Sequence, residues 1–264
     1  MKVVITGSSK GIGFALAKEF LKFGDSVIIS SRSEENINLA LTKLKEDISE
    51  ARVFGQLCDV TKSEEIKKLM DFSLEKLGEI DIWVNNAGTS GFEYDHLVNI
   101  SDEAIENAIR TNVIGTLYGC REAIKIMTKQ GKGNIFNLAG MGSNGMASPN
   151  LAAYGTSKSS MPQLLKSLKK ETKDTGIGIH LLYPGMVLTD LLIRNATPEA
   201  KKFFNMVVER PETVAAKIVP QMRLIKGTGK SIKYSGTFKF FMKMMTGSLR
   251  KNRFFDKEGN LIEE

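Results

Sequence analysis

The chain has 264 residues, 42% hydrophobic and 25% charged, with six prolines and no low-complexity tract. That suits one α/β domain with a substantial core, and no apolar run approaches the roughly 18 residues of a membrane span. The net charge of +7 is uneven: Thr213 to Phe255 carries ten Lys or Arg and no acid, leaving 27 basic and 30 acidic residues elsewhere. Nucleic acid, an acidic lipid surface or an anionic substrate would each suit such a segment, against the plain alternative of a solvated face.

Val3, Val4 and Ile5 read as a short buried strand. Gly7, Gly11 and Gly13 follow, and Phe14–Phe23 carries Leu16, Phe20 and Phe23 at helical spacing, with Gly24 as a left-handed stop. Strand, glycine turn and helix make a dinucleotide site: glycines admit a pyrophosphate, and the helix N-terminus faces it with free N–H groups. The chain starts directly on this strand, so neither signal nor transit peptide is expected and the location is expected to be cytoplasmic. Cys58 and Cys120 lack metal or redox spacing and read as reduced thiols.

Ser26–Ser31 reads as the second strand. Its tip, Ser31 and Arg32, carries no acid to bond a ribose 2′-hydroxyl, whereas Arg32 suits a 2′-phosphate and Lys10 adds a second positive charge. NADPH is therefore favoured over NADH. Ser33 caps a helix to Asp47. Val53–Cys58 is a third strand, leading to Asp59, placed to accept from an adenine amino group, and Val60. Thr61 to Glu64 has capping-box spacing for a helix to Leu77. Ile80–Val84 is a fourth strand, running into Asn85, Asn86, Ala87 and Gly88, small and amide residues that leave room for a cofactor.

Ser101 caps a long helix through Asn112 to about Lys129, with Asn112 a polar interruption of an apolar stretch. Asn134–Leu138 is the fifth strand, and a loop of small residues follows. Tyr154 and Lys158 share a helix face, where an ammonium would lower the phenol pKa and ready it for acid–base work. Pro162 cannot donate to the carbonyl of Lys158, so the helix kinks or that carbonyl binds something else. Gly178–Leu182 is the sixth strand, with His180 a core residue; Pro184 and Gly185 break the chain, and Thr189 is placed to bond a nicotinamide amide. Leu191–Val208 suits a substrate lid, Pro211 opens a helix to about Leu224, and Ser231–Tyr234 is a last strand. Phe238–Met245, interleaved with Lys239 and Lys243, suits a membrane surface, an apolar substrate cavity, a subunit contact or plain packing.

Taken together, the Thr6–Gly13 turn, Asp59-Val60, Asn85–Gly88, Asn112, Tyr154-x-x-x-Lys158 and Pro184-Gly185 resemble the short-chain dehydrogenases/reductases over residues 1 to about 225. The resemblance implies a doubly wound parallel Rossmann sheet of about seven strands in one domain, residues 1–264, with about 190–264 as lid and basic extension. It also implies a homodimer or homotetramer. Cofactor contacts fall to Gly7, Ser9, Lys10, Gly11, Ile12, Gly13, Ser31, Arg32, Asp59, Val60, Asn86, Ala87, Gly88, Tyr154, Lys158, Pro184, Gly185 and Thr189. Tyr154 would protonate the carbonyl as hydride arrives, Lys158 would lower its pKa and hold the nicotinamide ribose, and Asn112 would anchor a relay water. The family's serine falls near Gly140, which has no hydroxyl; Ser143 is the nearest replacement. Residues 137–145, 154–158, 184–192, 211–215, 226–230 and 253–259 look more narrowly like chlorophyll(ide) b reductases, which reduce a 7-formyl group with NADPH. A carbonyl substrate, here a tetrapyrrole, is implied; nucleic acid is not expected as a partner, and peripheral membrane contact through the C-terminal region stays open beside packing. The alternatives are a reductase of another carbonyl, such as a 3-oxoacyl thioester, and a non-catalytic NADP-binding regulator.

Overall fold

The computed structural model describes residues 1–194, 196–235, 253–256 and 258–262. The aromatic and Met-rich stripe 238–245, with Lys239 and Lys243, lies outside them. The first half alternates strand and helix: β1 (Lys2–Ile5), α1 (Gly11–Lys22), β2 (Ser26–Ser31), α2 (Glu34–Asp47), β3 (Val53–Leu57), α3 (Ser63–Leu77) and β4 (Ile82–Asn85). The second half runs α4 (Asp102–Ile109), α5 (Gly115–Gln130), β5 (Gly133–Leu138), α6 (Ala152–Glu171), β6 (Ile177–Tyr183), α7 (Asp190–Ile193), α8 (Pro198–Val207), α9 (Pro211–Arg223) and β7 (Lys230–Lys233).

The strands form one parallel sheet in the order β3-β2-β1-β4-β5-β6-β7. The order reverses beside β1, which opens a crevice at the carboxyl ends of β1 and β4. The central strands β1, β2, β4, β5 and β6 are buried on both faces, so their apolar residues divide by parity, whereas the edge strand β7 buries only Ile232. Val3, Ile5, Val27 and Ile29 pack on one side under α1 and α9; Val4, Ile28, Trp83 and Ile135 pack on the other under α3, α5 and α6. A third cluster joins Phe204, Val207 and Val208 to Phe254 and Phe255.

Two helix starts differ from expectation. The α3 N-cap is Lys62, whose side chain makes no capping bond. Thr61 bonds Asp59 instead, and Glu65 takes the Asp59 N–H at 2.6 Å. The expected single helix from Ser101 to Lys129 is interrupted by a π-turn at Arg110–Ile114. Such bulges re-aim a side chain, and here Asn112 is fully buried.

Candidate active site

The glycine turn is held by β4's exit loop. Gly7 and Gly11 have φ of +61° and +59°, a region glycine enters without strain. A Cβ on Gly7 would stand 2.7 Å from Ala87 Cα, and one on Gly13 would collide with Asn86 Nδ2. Thr6 Oγ1 accepts from the Asn86 and Ala87 N–H groups at 3.1 Å each, and Asn86 Nδ2 donates to the Thr6 and Gly7 carbonyls. Asn86 Oδ1 is buried without a partner among the described residues. The α1 N-cap residue, Lys10, makes no side-chain capping bond, and no acid lies in the first turn. Those free N–H groups fit a pyrophosphate. Ser9 is half-buried, and Ile12 packs on the core.

Lys10 is not a free second charge: it pairs with Asp190 Oδ2 at 2.5 Å. Arg32 is exposed just past β2, and Ser31 Oγ accepts from Ser33 N at 3.3 Å. Asp59 Oδ1 accepts from the Thr61 amide and hydroxyl, and Val60 is buried. After β6, Pro184 is half-buried and Gly185 exposed. Thr189 is brought to the glycine turn, its Cγ2 3.2 Å from where a Gly11 Cβ would stand.

Asn112, Tyr154 and Lys158 meet at the carboxyl end of the sheet. Asn112 Oδ1 accepts from Thr89 N at 2.9 Å, and its Nδ2 donates to Thr89 O and Ser157 Oγ, both at 2.8 Å. A Cβ on Gly88 would lie 3.2 Å from Asn112 Oδ1 and 3.6 Å from Lys158 Nζ. Lys158 is 6% exposed, donates to Leu138 O at 3.0 Å, and lies 5.9 Å from the Tyr154 ring centre. Burial governs both titrations. It pushes Tyr154 up to about 12, with Tyr94 adding to the rise, and Lys158 down to about 8. The phenol is therefore raised by desolvation and by Tyr94, opposite in direction to the lowering expected from the ammonium.

Ser143 is engaged by the backbone rather than aimed at the Tyr154 hydroxyl by any bond among the described residues. Its single proton goes to Lys158 O at 2.9 Å, the carbonyl that Pro162 leaves unserved, and it accepts from Gly140 N at 3.0 Å. α6 therefore continues through Pro162. A Cβ on Gly140 would stand 2.5 Å from the Tyr154 hydroxyl, so a larger residue there would displace the phenol.

The short helix α7 is tied down on two sides. Asp190 bonds Lys10, and Tyr94 donates to Leu191 O at 2.7 Å. The sequence reading missed Tyr94, Asp190 and Ser157, because each gains its role from a partner far along the chain. Ser157 alone had a signal, lying within the Tyr154–Lys158 turn.

Residues 1–200 match the family model described as short chain dehydrogenase. The protein named probable chlorophyll(ide) b reductase NYC1, chloroplastic, of Oryza sativa subsp. japonica is 44% identical over 98% of this chain and 55% of its own length. The one named chlorophyll(ide) b reductase NOL, chloroplastic, of the same organism is 45% identical over 97% of this chain and 74% of its own. The chain thus spans about half the length of the NYC1 relatives. The solved 7 alpha-hydroxysteroid dehydrogenase complexed with NADH and 7-oxo glycochenodeoxycholic acid superposes with a TM-score of 0.77 at 25% identity, covering 89% of this chain and 93% of that one. The expected cytoplasmic location is overturned, since the NYC1 and NOL relatives from Oryza sativa and Arabidopsis thaliana are all named chloroplastic. A family model matched across the sheet and the Tyr154–Lys158 helix, and relatives above 40% identity over nearly the whole chain, place this chain in the short chain dehydrogenase family of oxidoreductases.

Proposed function

We propose that the chain is an NADPH-dependent carbonyl reductase acting on the 7-formyl group of chlorophyll(ide) b, with Tyr154 as proton donor. The observation that carries this reading is the convergence of Tyr154, Lys158 and Asn112 beside a glycine turn and an uncapped helix N-terminus. The identity to relatives named chlorophyll(ide) b reductase supports the substrate. So does an apolar rim: Phe92, Leu97 and Val98 after β4, and Met141 and Met146 after β5, are exposed. A broad, flat apolar substrate would cover them.

The pyrophosphate would rest on the first-turn N–H groups of α1, with Gly7, Gly11 and Gly13 allowing close approach. Arg32 would clamp the 2′-phosphate, Asp59 would accept from adenine, and Lys158 would hold the nicotinamide ribose. When bound, the nicotinamide supplies the hydride. Tyr154 gives its proton to the carbonyl oxygen; a pKa near 12 keeps that proton in place at neutral pH. Lys158, titrating near 8, still carries charge there and favours the phenolate that the transfer leaves. Asn112 fixes Thr89 and Ser157, and through them the floor of the pocket. Asn86, Ala87, Gly88, Pro184, Gly185 and Thr189 would line the nicotinamide half.

The test is NADPH oxidation by the purified protein with chlorophyllide b, beside a 3-oxoacyl thioester and simple aldehydes. Turnover of the pigment is expected, falling by about 10³-fold in Tyr154→Phe while NADPH affinity stays within about twofold. An inert pigment would refute the substrate, and undiminished turnover in Tyr154→Phe would refute the proton donor.

A further inference from the structure

A cavity of about 930 Å³ opens at the amino ends of β5 and β6, lined by Gly133, Asn134, Ile177 and Gly178 among others. The reaction groups lie at the opposite ends of these strands. Six residues of strand at about 3.3 Å each put the two sites roughly 16 Å or more apart through the sheet. The cavity is therefore separate from the cofactor crevice.

Its walls are basic and come from separate parts of the chain. Lys132 stands at the entry to β5; Lys166, Lys169 and Lys170 lie on α6; Lys173 follows α6; Lys226 follows α9. Lys132 is engaged by Glu79 and Asp81. Among the described residues the other five make no ion pair and Asp174 is the only acid on the lining. Lys169 and Lys170 lie in the last turn of α6, where they also answer the helix dipole. That accounts for neither Lys173 nor Lys226.

Lys226, Gly227 and Thr228 form one wall, at the end of the sheet opposite Tyr154 and Lys158. Gly227 and Gly229 have φ of +73° and +78°. Thr228 Oγ1 accepts from Ile179 N at 3.0 Å, and Gly229 N donates to Ile179 O at 2.8 Å, so the loop is locked to the sheet. The Lys226, Gly227 and Thr228 amides bond no backbone carbonyl among the described residues. A Cβ on Gly229 would meet Lys169 Cδ at 2.9 Å, so glycine there lets the lysine stem pass along the loop. A wall fixed to the sheet in this way, with ammonium-bearing side chains gathered on one concavity, suits oxygen-rich anions.

We infer that this cavity binds a phosphate-bearing anion independently of the cofactor. Lysines serve phosphate as strongly charged, adaptable donors, and the volume admits several phosphate groups or one with an organic body. Leu224, 78% exposed and next to the lining residue Ile225, suits contact with acyl chains. The anion is thus either a soluble polyphosphate or a phospholipid headgroup.

The experiment uses the whole protein saturated with NADPH, so that the cofactor crevice is filled. Tripolyphosphate binding is measured by calorimetry, and co-sedimentation is measured with phosphatidylcholine vesicles with and without phosphatidic acid. The comparison is Lys169→Gln/Lys170→Gln/Lys173→Gln, with Lys226→Gln as a second, independent variant. At least one probe should bind the wild type and bind the triple variant about tenfold or more weakly, with Lys226→Gln intermediate and NADPH affinity unchanged. Tripolyphosphate binding without sedimentation identifies a soluble ligand; sedimentation only with phosphatidic acid identifies a headgroup. Binding of neither probe, or equal binding by wild type and both variants, overturns the proposal.

Discussion

Pro162 removes a hydrogen-bond donor one turn below the active-site lysine, and the protein answers with a side chain from another element. The Ser143 hydroxyl takes the Lys158 carbonyl and receives the Gly140 N–H, so a single buried residue fixes both the lysine's backbone and the loop facing Tyr154. Ser143→Ala leaves that carbonyl unpaired and should cost about 1–3 kcal/mol of stability and lower kcat. In a Pro162→Ala background the helix regains its own donor, and the same serine change should cost under about 1 kcal/mol. Urea unfolding of the four proteins checks this; equal costs in both backgrounds would refute it. Sequence placed Ser143 near the reaction but could not show that its proton is already committed, since Lys158 lies fifteen residues away on a helix whose approach only the fold sets. Arg32 is the opposite case, a residue whose proposed role follows from local order alone. Arg32→Asp should shift the kcat/KM preference from NADPH towards NADH by about 10-fold or more, and an unchanged ratio would exclude the 2′-phosphate clamp.

The α8 helix is the element whose construction depends most on distant chain. Asn205 on α8 accepts from the Phe254 and Phe255 N–H groups at 2.7 and 2.9 Å and donates to Phe255 O at 2.8 Å. Arg253 adds bonds to Val208 O and Glu209, so this short segment clasps α8. Asn205→Ala should loosen the clasp without melting the sheet. Hydrogen exchange should rise at Phe254, Phe255 and α8 while β1 and β4 keep their protection; uniform acceleration would mean the clasp is part of the global core. The central strands were legible because each carries a short apolar run bounded by turn residues, as in Ser26–Ser31, whereas β7 buries a single Ile232 between polar residues. Ser33 and Ser101 were legible as caps because a cap acts over three residues. The capping-box spacing at Thr61 failed because Asp59 Oδ1 takes both the Thr61 amide and its hydroxyl, the groups such a box would use. The π-turn at Asn112 left no mark beyond one polar residue in an apolar run, since it is imposed by Thr89 and Ser157 from outside the helix.

At the scale of the whole molecule, the sheet separates two chemistries, a reaction end at the carboxyl tips and a basic cavity at the amino tips. His180 sits between them on β6, fully buried, bonded through Nε2 to Asn134 Oδ1 at 3.0 Å and stacked on Phe136 with ring centres 5.0 Å apart. Burial first, and then the charge of Lys230 on the neighbouring strand, push its pKa down from 6.5 to about 4. The fold therefore holds a neutral ring that the unfolded chain protonates more readily. Its contribution to stability is complete above pH 6.5 and is lost as pH falls from there towards 4. Most described carboxylates with lowered pKa lie on the surface and act only below their ordinary range near 4, so the first loss on acidification belongs to this ring. His180→Gln cannot titrate. It should be less stable than the wild type at pH 7, because a buried stacked ring is gone, yet its unfolding free energy should change little between pH 6.5 and 4.5 while the wild type declines. Chemical denaturation across that range separates the two; parallel decline would place the acid sensitivity elsewhere in the molecule.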